Sequence, residues 1–573
     1  MNKTEADAAF AQAIAHQQAG QLAQAQALYE QILAAQPAYP HVPHLLGVIV
    51  SQQGDWFLAR RLIEGSLLLH ASDPDALSNL AWVFVNLNEP EQAIARADEA
   101  IALSPGHARA HVTRGQALRL AGRHGDAVAA FDQALALNPA LADALLARGQ
   151  SLYALNRRED ALAAFDTVLQ QQPANAEAWN SRGACLMGLE GPGNAQEART
   201  SFERALALQP RYPEALFNLG STLQLSQRHE EALALYEQAL AIRPNYPEAL
   251  MHRAFALQSL RRKPHECLAS LDRAIALRPG YFEALNGRAN VLGKMEQYAE
   301  ALQNYDAALR LRPDAHEALN NRGHALREMG RLDEAAASYR EAIRCGGDAN
   351  TGLFALAAMG HEAMPSTAPQ DYVVSLFDNY ANRYDNHLVD TLKYQAHTRV
   401  CHALLPLAAA QGAGPYDVLD LGCGTGLCAP LLAPVARSMT GVDLSPGMLE
   451  GARQRGLYAE LACQDIAQYL HGGDSRFGLV ASADVFVYVG DLDAVFSGVR
   501  RRLAPGGLFG FSVEAAEGEG FKLQDSRRYA HSAHYLRGLA DKYGFEVVQL
   551  DRTALRQDFG RDIPGYIAIL KAS

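Results

Sequence analysis

A repeat of 34 residues constrains the fold of this chain more than any other feature of its sequence. Prolines recur at this spacing, for example at Pro105, Pro139 and Pro173. A small residue and a bulky one precede most of these prolines at fixed distances, as Ala127 and Phe131 precede Pro139. Because small residues let two antiparallel helices approach and proline stops a helix, the repeat predicts a stack of helix pairs.

The order of small, bulky and proline positions resembles the tetratricopeptide repeat. The resemblance covers about ten units between residues 4 and 347. It implies an all-α solenoid in which the first helix of each pair lines a concave groove. Such a groove is the place to look for polar residues that recur from unit to unit.

Asparagines recur on the first helices of the predicted pairs. In related arrays an asparagine ladder holds the backbone of an extended peptide, because an amide both donates and accepts hydrogen bonds. The alternative is that these asparagines are only solvated polar residues. The resemblance therefore favours a protein or peptide partner. The positions are Asn79, Asn218 and Asn321, and one residue earlier in the unit Asn180, Asn286 and Asn320.

A different pattern begins after the repeats. Glycines and prolines between residues 348 and 370 predict a linker, and short apolar runs that alternate with helical segments predict an α/β domain over residues 371–573. Seven strands fit a doubly wound Rossmann-like sheet whose last strand is inserted antiparallel. They are predicted at Val418–Leu421, Met439–Val442, Ala459–Ala462, Leu479–Ala483, Leu508–Val513, Glu546–Leu550 and Tyr566–Leu570.

A glycine-rich turn follows the first predicted strand, in the run Val418–Gly426. Glycines allow the backbone to approach a ligand closely. The dinucleotide fingerprint would require a third glycine where this chain has Leu427. A carboxylate at the strand tip, Asp420, suits a ligand that carries an ammonium group and no phosphate. The turn thus favours S-adenosylmethionine (SAM) over a dinucleotide.

Acidic residues follow the next two predicted strands as well. Asp443 can accept hydrogen bonds from ribose hydroxyls, and Asp465 lies where an acceptor for an adenine amino group is common. Together these motifs resemble class I SAM-dependent methyltransferases over residues 371–573. The cofactor-binding residues that this resemblance implies in the sheet region are Asp420, Gly422, Cys423, Gly424, Gly426, Asp443, Leu444, Met448, Gln464, Asp465, Ile466 and Ala483.

A segment ahead of the sheet, Phe377–Leu388, is similar to the first helix of small-molecule methyltransferases of the ubiquinone-biosynthesis and trans-aconitate type. In that family, tyrosines of this helix lie over the cofactor. Tyr380 and Tyr384 are therefore expected lid residues, and their aromatic faces favour a sulfonium cation. Core packing of an amphipathic helix is the alternative.

Methyl transfer from SAM is a displacement at carbon that depends mainly on alignment. A base is needed where the acceptor is a hydroxyl or an ammonium group. Candidates are Asp484, His387 and His531, and Tyr488 is a candidate for acceptor contact. The segment after the fourth strand lacks the Asn/Asp-Pro-Pro-Tyr motif of amide and adenine N-methyltransferases, which disfavours those acceptors.

Composition narrows the range of partners and locations. A formal net charge of -12 argues against nucleic acid as the main partner. The seven cysteines are scattered without zinc spacing, so neither a metal site nor a disulfide framework is indicated. The sequence shows neither a signal peptide nor an apolar run long enough to span a membrane, and we expect a cytoplasmic location.

These expectations combine into one leading function and two alternatives. The leading hypothesis is a SAM-dependent methyltransferase whose helical array recruits a protein or peptide substrate. In the first alternative the acceptor is a small metabolite or glycan and the array serves assembly. In the second the chain is a scaffold with an idle SAM domain, but the intact Asp420, Gly422, Gly424 and Asp443 count against it.

Overall fold

The computed structural model describes residues 2–378, 395–412, 414–558 and 561–573. They form two units, Met1–Pro279 and Gly280–Ser573, which are described separately. Elements are numbered in chain order among the described residues. The boundaries predicted at residues 347 and 371 rest on sequence patterns and stay predictions.

The first unit consists of paired antiparallel helices. Among its described residues each odd-numbered helix pairs with the next even-numbered one, which gives eight pairs. The helices are α1 Lys3–Gln18, α2 Leu22–Ala35, α3 Val42–Gln52, α4 Trp56–Leu69, α5 Pro74–Asn86, α6 Pro90–Leu103, α7 Ala108–Leu120, α8 His124–Leu137, α9 Ala142–Ala154, α10 Arg158–Gln171, α11 Ala176–Met187, α12 Asn194–Leu208, α13 Pro213–Leu225, α14 His229–Ile242, α15 Pro247–Ser259 and α16 Pro264–Leu277.

The predicted small and bulky positions form the contact within each pair. A Cβ atom added at Gly149 of α9 would lie 2.6 Å from the ring of Phe165 on α10. Phe165 is almost fully buried, as are Phe131 and Phe202 at the equivalent positions. Burying such a side chain contributes about 1.5 to 3 kcal/mol, so in these three pairs the aromatic residue is a large part of the contact between the helices.

The second unit begins with two further helix pairs. In its described part these are α17 Phe282–Lys294 with α18 Tyr298–Leu311, and α19 His316–Glu328 with α20 Leu332–Arg344. A single helix, α21 Ala349–Ala358, follows and packs on α20. The all-α repeat array predicted from the sequence is confirmed.

A sheet covered by helices completes the second unit. The strands are β1 Tyr416–Leu421, β2 Ala436–Asp443, β3 Glu460–Cys463, β4 Phe477–Ser482, β5 Leu503–Ala515, β6 Phe521–Leu523, β7 Tyr529–His531, β8 Phe545–Asp558 and β9 Arg561–Ala572. The helices are α22 Gln370–Asp378, α23 Ala396–Gln411, α24 Ala429–Leu432, α25 Pro446–Arg455, α26 Ile466–Gly472, α27 Asp493–Arg502 and α28 Ala533–Lys542.

The strand order agrees with the predicted doubly wound sheet. Strands β3, β2, β1, β4 and β5 are parallel neighbours, and β9 lies antiparallel between β5 and β8. Each of the seven predicted strands overlaps one of these. Strands β6 and β7 were not predicted, because three residues are too few to show an alternating pattern.

Both faces of the sheet are buried. Leu419 of β1 packs into one hydrophobic cluster with Phe496 of α27, whereas the neighbouring Val418 packs into another with Leu404 of α23. Such burial on two faces is typical of parallel sheets and explains the apolar runs of the sequence. Loops at the carboxyl ends of β1 to β4 are therefore left to form a site. No helix of the described residues is long and apolar enough to cross a membrane.

Candidate active site

The glycine-rich turn after β1 is held by the neighbouring strand. The backbone N–H groups of Gly422 and Cys423 both donate to the carbonyl oxygen of Val442 on β2, at 2.7 and 3.0 Å. Gly422 and Gly424 have φ angles of 66° and 55°, which disfavour other residues. The sequence places glycine here because the chain turns sharply at the strand tip.

Space also requires glycine at residue 422. An added Cβ atom would lie 2.2 Å from Cγ2 of Val485, which follows β4. Gly426 meets different neighbours, since a Cβ there would lie 3.0 Å from Tyr458. The Cys423 side chain is buried with Leu449 in a small cluster away from the cavity described next.

A cavity lies where β1 to β4 end, and we call it the sheet-edge cavity. It brings together eight of the predicted cofactor residues, together with Asp484 and Tyr488. The others come from the chain just before α22, from α22 itself and from the segment after β4. The lining residues are Thr367, Ala368, Gln370, Val373, Phe377, Gly422, Gly424, Asp443, Leu444, Met448, Asp465, Ile466, Ala483, Asp484, Val485, Tyr488 and Val489.

Asp443 is fixed by backbone donors on both carboxylate oxygens. Its Oδ2 accepts from the N–H of Gly424 and its Oδ1 from the N–H of Ser445, each at 2.9 Å. Burial raises the pKa of Asp443, while these hydrogen bonds act in the opposite direction. Each oxygen keeps a further lone pair, so the carboxylate can accept two more hydrogen bonds from a ligand.

Asp465 has a second function beside lining the cavity. Its Oδ1 accepts from the N–H groups of Ala467 and Gln468, which makes it the N-cap of α26. The adjacent Gln464 is exposed and does not line the cavity. Its backbone N–H donates to the carbonyl oxygen of Asp443.

Asp420 does not line the cavity. Its side chain is buried, and its Oδ2 accepts from the hydroxyl of Tyr458 at 2.7 Å. Burial raises the pKa of Asp420 to about 6, against the opposing effect of the Tyr458 hydrogen bond. The structure therefore shows Asp420 as an anchor for Tyr458, and a contact with a ligand ammonium group stays a prediction.

His531 does not line the cavity, although it contacts the backbone of Val489, which does. It is fully buried on β7, and its Nε2 lies 3.0 and 2.9 Å from the carbonyl oxygens of Val489 and Gly490. Burial lowers its pKa to about 4, so a neutral ring donates to the backbone. This geometry removes His531 from the candidate bases. Tyr380, Tyr384 and His387 lie outside the described residues.

A charged cluster of Asp484, Glu514, Arg528 and Arg556 borders the cavity at Asp484. Arg556 contacts Glu514 at 2.8 Å and Asp484 at 3.7 Å, and Arg528 lies 3.5 Å from Asp484. Asp484 has a φ angle of 60°, an unusual backbone conformation for aspartate that is found often at functional sites. Of these four residues the sequence motifs indicate only Asp484, because its partners follow it by tens of residues along the chain.

The chain just before α22 forms one wall of the cavity, and we call residues 364–369 the bridge segment. Thr367 forms an antiparallel bridge with Val489, and the N–H of Ala368 donates to the carbonyl oxygen of Tyr488 at 2.9 Å. The sequence pattern predicts a linker for this segment. Its small and polar residues give no periodic signal, so only the folded chain reveals these contacts.

Asp378 ties the end of α22 to the cavity. Its Oδ1 accepts from the hydroxyl of Ser445 and from the N–H of Gly447, at the start of α25. Ser445 in turn caps α25 by accepting from the N–H of Met448 at 3.1 Å. No motif of the sequence indicates this role for Asp378, although it follows Phe377 in the segment that resembles a methyltransferase helix.

The asparagines of the array contact one another in part. In the first unit Asn218 donates to Asn180 at 2.9 Å, and Asn79 lies 2.8 Å from Nε2 of His44. In the second unit Asn321 donates to Asn290 at 3.1 Å. Asn286 is half-buried, and its Oδ1 has no hydrogen-bond partner among the described residues. Asn320 is half-buried as well.

Comparison with known families identifies two kinds of module in the chain. Residues 418–507 match the profile of the methyltransferase domain family. Profiles of the tetratricopeptide repeat match residues 78–142, 189–247 and 286–350 and, with a second profile, residues 118–185. The chain thus contains a methyltransferase domain preceded by tetratricopeptide repeats, as its sequence motifs indicate.

Curated relatives match part of the methyltransferase region. A malonyl-acyl-carrier-protein O-methyltransferase of Geobacter sulfurreducens is 38% identical over 120 residues, 20% of this chain and 45% of the relative. A trans-aconitate 2-methyltransferase of Paracidovorax citrulli is 38% identical over 123 residues, with the same two shares. A ubiquinone biosynthesis O-methyltransferase of Coxiella burnetii is 32% identical over 100 residues, 17% of this chain and 42% of the relative. The chain spans less than half the length of these three relatives.

Proposed function

We propose that this chain is a SAM-dependent methyltransferase and that the sheet-edge cavity holds the cofactor. The observation that carries the proposal is the convergence of Gly422, Gly424, Asp443, Met448 and Asp465 at one cavity. These residues end or follow three different strands, β1, β2 and β3, so their meeting is a property of the fold. The family match at residues 418–507 supports the same cofactor.

The cavity residues fit the chemical groups of SAM. Asp443 presents two oriented oxygens that can accept from ribose hydroxyls, and Met448 and Ile466 offer apolar surfaces to an adenine ring. The missing side chain at Gly422 leaves room close to the backbone of the turn. Asp465 uses one carboxylate oxygen as a helix cap, which leaves the other to accept from an amino group.

Bound SAM supplies an electrophilic methyl group on a sulfonium centre. The chain's contribution is to orient the acceptor and to exclude water. Phe377 and Tyr488 are cavity residues whose rings meet edge to face at 5.4 Å, and they can shield a cation. Asp484 lies on the same wall, where its carboxylate can accept a proton from an acceptor hydroxyl.

Recruitment of a protein or peptide by the helical array is the finer part of the proposal. The asparagine amides line first helices of the repeats, and Asn286 has an acceptor oxygen that lacks a partner among the described residues. A peptide backbone can supply such a partner. We propose that the array selects the acceptor and that the cavity methylates it.

A small acceptor is the second candidate. It is favoured by the relatives, whose names include trans-aconitate and ubiquinone biosynthesis. Two of the relatives cited are named as O-methyltransferases, so oxygen is the acceptor atom that this candidate favours. In this case the helical repeats would serve assembly and would leave turnover of the free acceptor unaffected.

Labelled SAM distinguishes the two candidates. We would incubate the full chain with methyl-labelled SAM and a lysate that has been separated into macromolecules and small molecules. Label in protein supports recruitment, and label only in small molecules favours the second candidate. Absence of SAM binding by calorimetry would contradict the proposed function altogether.

The asparagines provide a second test. We expect that replacing Asn218, Asn286 and Asn321 together by alanine lowers methylation of a protein acceptor but leaves the affinity for SAM unchanged. Each lost backbone contact contributes about 0.5 to 1.5 kcal/mol. Asn304→Ala is the matched control, because Asn304 is a half-buried asparagine on the second helix of its pair and its amide donates to the carbonyl oxygen of Glu300 in the same helix.

A further inference from the structure

Helix α21 contributes neighbouring residues to two different hydrophobic clusters. Leu356 is fully buried in a cluster with Leu326 of α19 and Tyr339 of α20. Phe354, two residues earlier, is buried in a separate cluster with Tyr488 and Tyr529. One side of α21 therefore belongs to the last helix pair and another side to the surroundings of the sheet-edge cavity.

The ring of Phe354 lies between two aromatic residues that flank the bridge segment. Its centroid is 5.3 Å from that of Tyr372 on α22 and 6.2 Å from that of Tyr529 on β7. The hydroxyl of Tyr529 donates to the carbonyl oxygen of Pro365 at 2.8 Å. Phe354 thus packs against Tyr372 of α22, the helix that follows the bridge segment. It also packs against Tyr529, whose hydroxyl anchors the bridge segment at Pro365.

The bridge segment in turn holds the chain that follows β4. The carbonyl oxygen of Ser366 accepts from the N–H groups of Gly490 and Asp491, at 2.9 and 2.8 Å. The N–H of Ala368 donates to Tyr488, which lines the cavity. A displacement of the bridge segment, which forms one wall of the cavity, would therefore also move the wall at Tyr488.

Arg527 contacts Tyr372 of α22, the same residue that Phe354 contacts. The guanidinium of Arg527 lies over the ring of Tyr372, 5.6 Å from its centroid, and the backbone of Arg527 has a φ angle of 59°. Burial and the nearby Arg327 of α19 lower the pKa of Arg527. Arg527 thus contacts α22 through Tyr372, and the effect of Arg327 on its pKa places a charge of the last helix pair nearby.

We propose that Phe354 is a positioning residue for the sheet-edge cavity, through which the last helix pair fixes the bridge segment and the wall at Tyr488. This inference rests on the proposed function, because the wall is assigned to a SAM site. It means that the end of the helical array is part of the support of the site. A fragment that begins at residue 371 would lack this support together with Thr367, Ala368 and Gln370, which line the cavity.

Two substitutions in α21 test the proposal in the full chain. Phe354→Ala and Leu356→Ala both remove a large buried side chain, and we expect both to lower the melting temperature. Only Phe354→Ala should weaken SAM binding, by about tenfold, because a loosened wall misplaces the groups that contact the ligand. Calorimetric titration with SAM at a temperature where both variants are folded measures the difference.

Conservative variants keep the test decisive where Phe354→Ala does not fold. Phe354→Met fills much of the same space and should restore most of the affinity. Tyr529→Phe removes only the hydrogen bond to Pro365 and should weaken SAM binding about threefold. Unchanged affinity in Phe354→Ala, or an equal loss in Leu356→Ala, would overturn the positioning role. A wild-type chain that does not bind SAM would instead overturn the proposed function, and the inference with it.

Discussion

Glycines in the helix pairs and glycines in the turn after β1 have different structural roles. Gly115 and Gly149 are helical, and each would place a Cβ atom 2.6 Å from the phenylalanine ring of the partner helix. Gly422 and Gly424 have positive φ angles and border a cavity. In the repeats glycine makes room for a neighbouring side chain, whereas in the turn it also gives the backbone a shape that other residues resist.

This difference sets how far the effect of a substitution should extend. Several helix pairs have their own glycine and aromatic residue, as Gly115 with Phe131 and Gly149 with Phe165, so the loss of one should act mainly on that pair and its neighbours. The turn after β1 occurs once, and the cavity depends on it. Substitutions of equal size should therefore change local stability in the repeats but ligand binding in the turn.

Gly422→Arg should have the largest effect. The side chain would collide with Val485, whose Cγ2 lies 2.2 Å from the position of a Cβ atom, and would disfavour a φ angle of 66°. We expect calorimetry to detect no SAM binding by a folded protein. Gly538→Arg is the control, because no atom lies within 4 Å of a Cβ at this helical position. SAM affinity that survives Gly422→Arg would place the cofactor elsewhere.

Asp443→Ala should have the next largest effect on the ligand. It removes the carboxylate that the N–H groups of Gly424 and Ser445 orient. We expect SAM affinity to fall by about 1.5 to 3 kcal/mol, the range for a hydrogen bond to a charged group. Asp443→Asn should lose less, since one oxygen acceptor remains. Equal affinity of all three proteins would show that the ribose partner has been misidentified.

The sequence predicted those parts of the site whose residues are close along the chain. Gly422 and Gly424 follow β1 directly, and Asp443 closes the next strand, so one local motif indicates them. The contact between Thr367 and Tyr488 joins residues 121 positions apart, and no local sequence pattern indicates it. Asp420 shows a different limit, because its motif position was evident but its hydrogen bond to Tyr458 was not.

The fold, like the site, could be predicted from the sequence where its elements have a local pattern. Repetition made the helix pairs evident, since one weak pattern recurs in each unit. The long strands β5 and β9 have apolar runs, but β6 and β7 are short and owe their pairing to each other and to the end of β5. Arg528 and Arg556 contact Asp484 from β-strand regions far along the chain, so their cluster needed the folded sheet.

Gly149→Ala tests the local character of the repeats. The added Cβ atom would lie 2.6 Å from the ring of Phe165, and overpacking of this kind costs about 1 to 3 kcal/mol. The tryptophans Trp56, Trp82 and Trp179 all lie in the first unit, so urea unfolding followed by their fluorescence reports on it.

The matched control for Gly149→Ala is Gly125→Ala. No atom lies within 4 Å of a Cβ at residue 125 in α8, and alanine there should stabilise the helix slightly. We expect neither variant to change SAM affinity. A Gly149→Ala protein that unfolds as late in urea as Gly125→Ala would contradict the proposed role of glycine in the pair.

The smallest expected effect is a loss of stability at acidic pH, and it should differ between the sheet and the helix pairs of the first unit. Burial lowers the pKa of His531 to about 4 from an ordinary value of 6.5. Between these values the unfolded chain binds a proton that the folded chain does not, so stability falls as the pH drops from 6.5 towards 4 and is fully present above 6.5. At pH 5.5 the loss should be about 1 kcal/mol relative to pH 7.5.

His531→Gln keeps a donor for the carbonyl oxygens of Val489 and Gly490 but cannot titrate. Amide hydrogen exchange of β5 and β9 should therefore depend less on pH in this variant, while the tryptophan transition of the first unit stays as in the wild type. His534→Gln, at an exposed position in α28, should leave both unchanged. If exchange in β5 and β9 keeps its full pH dependence in His531→Gln, the acid sensitivity of the sheet arises from another group.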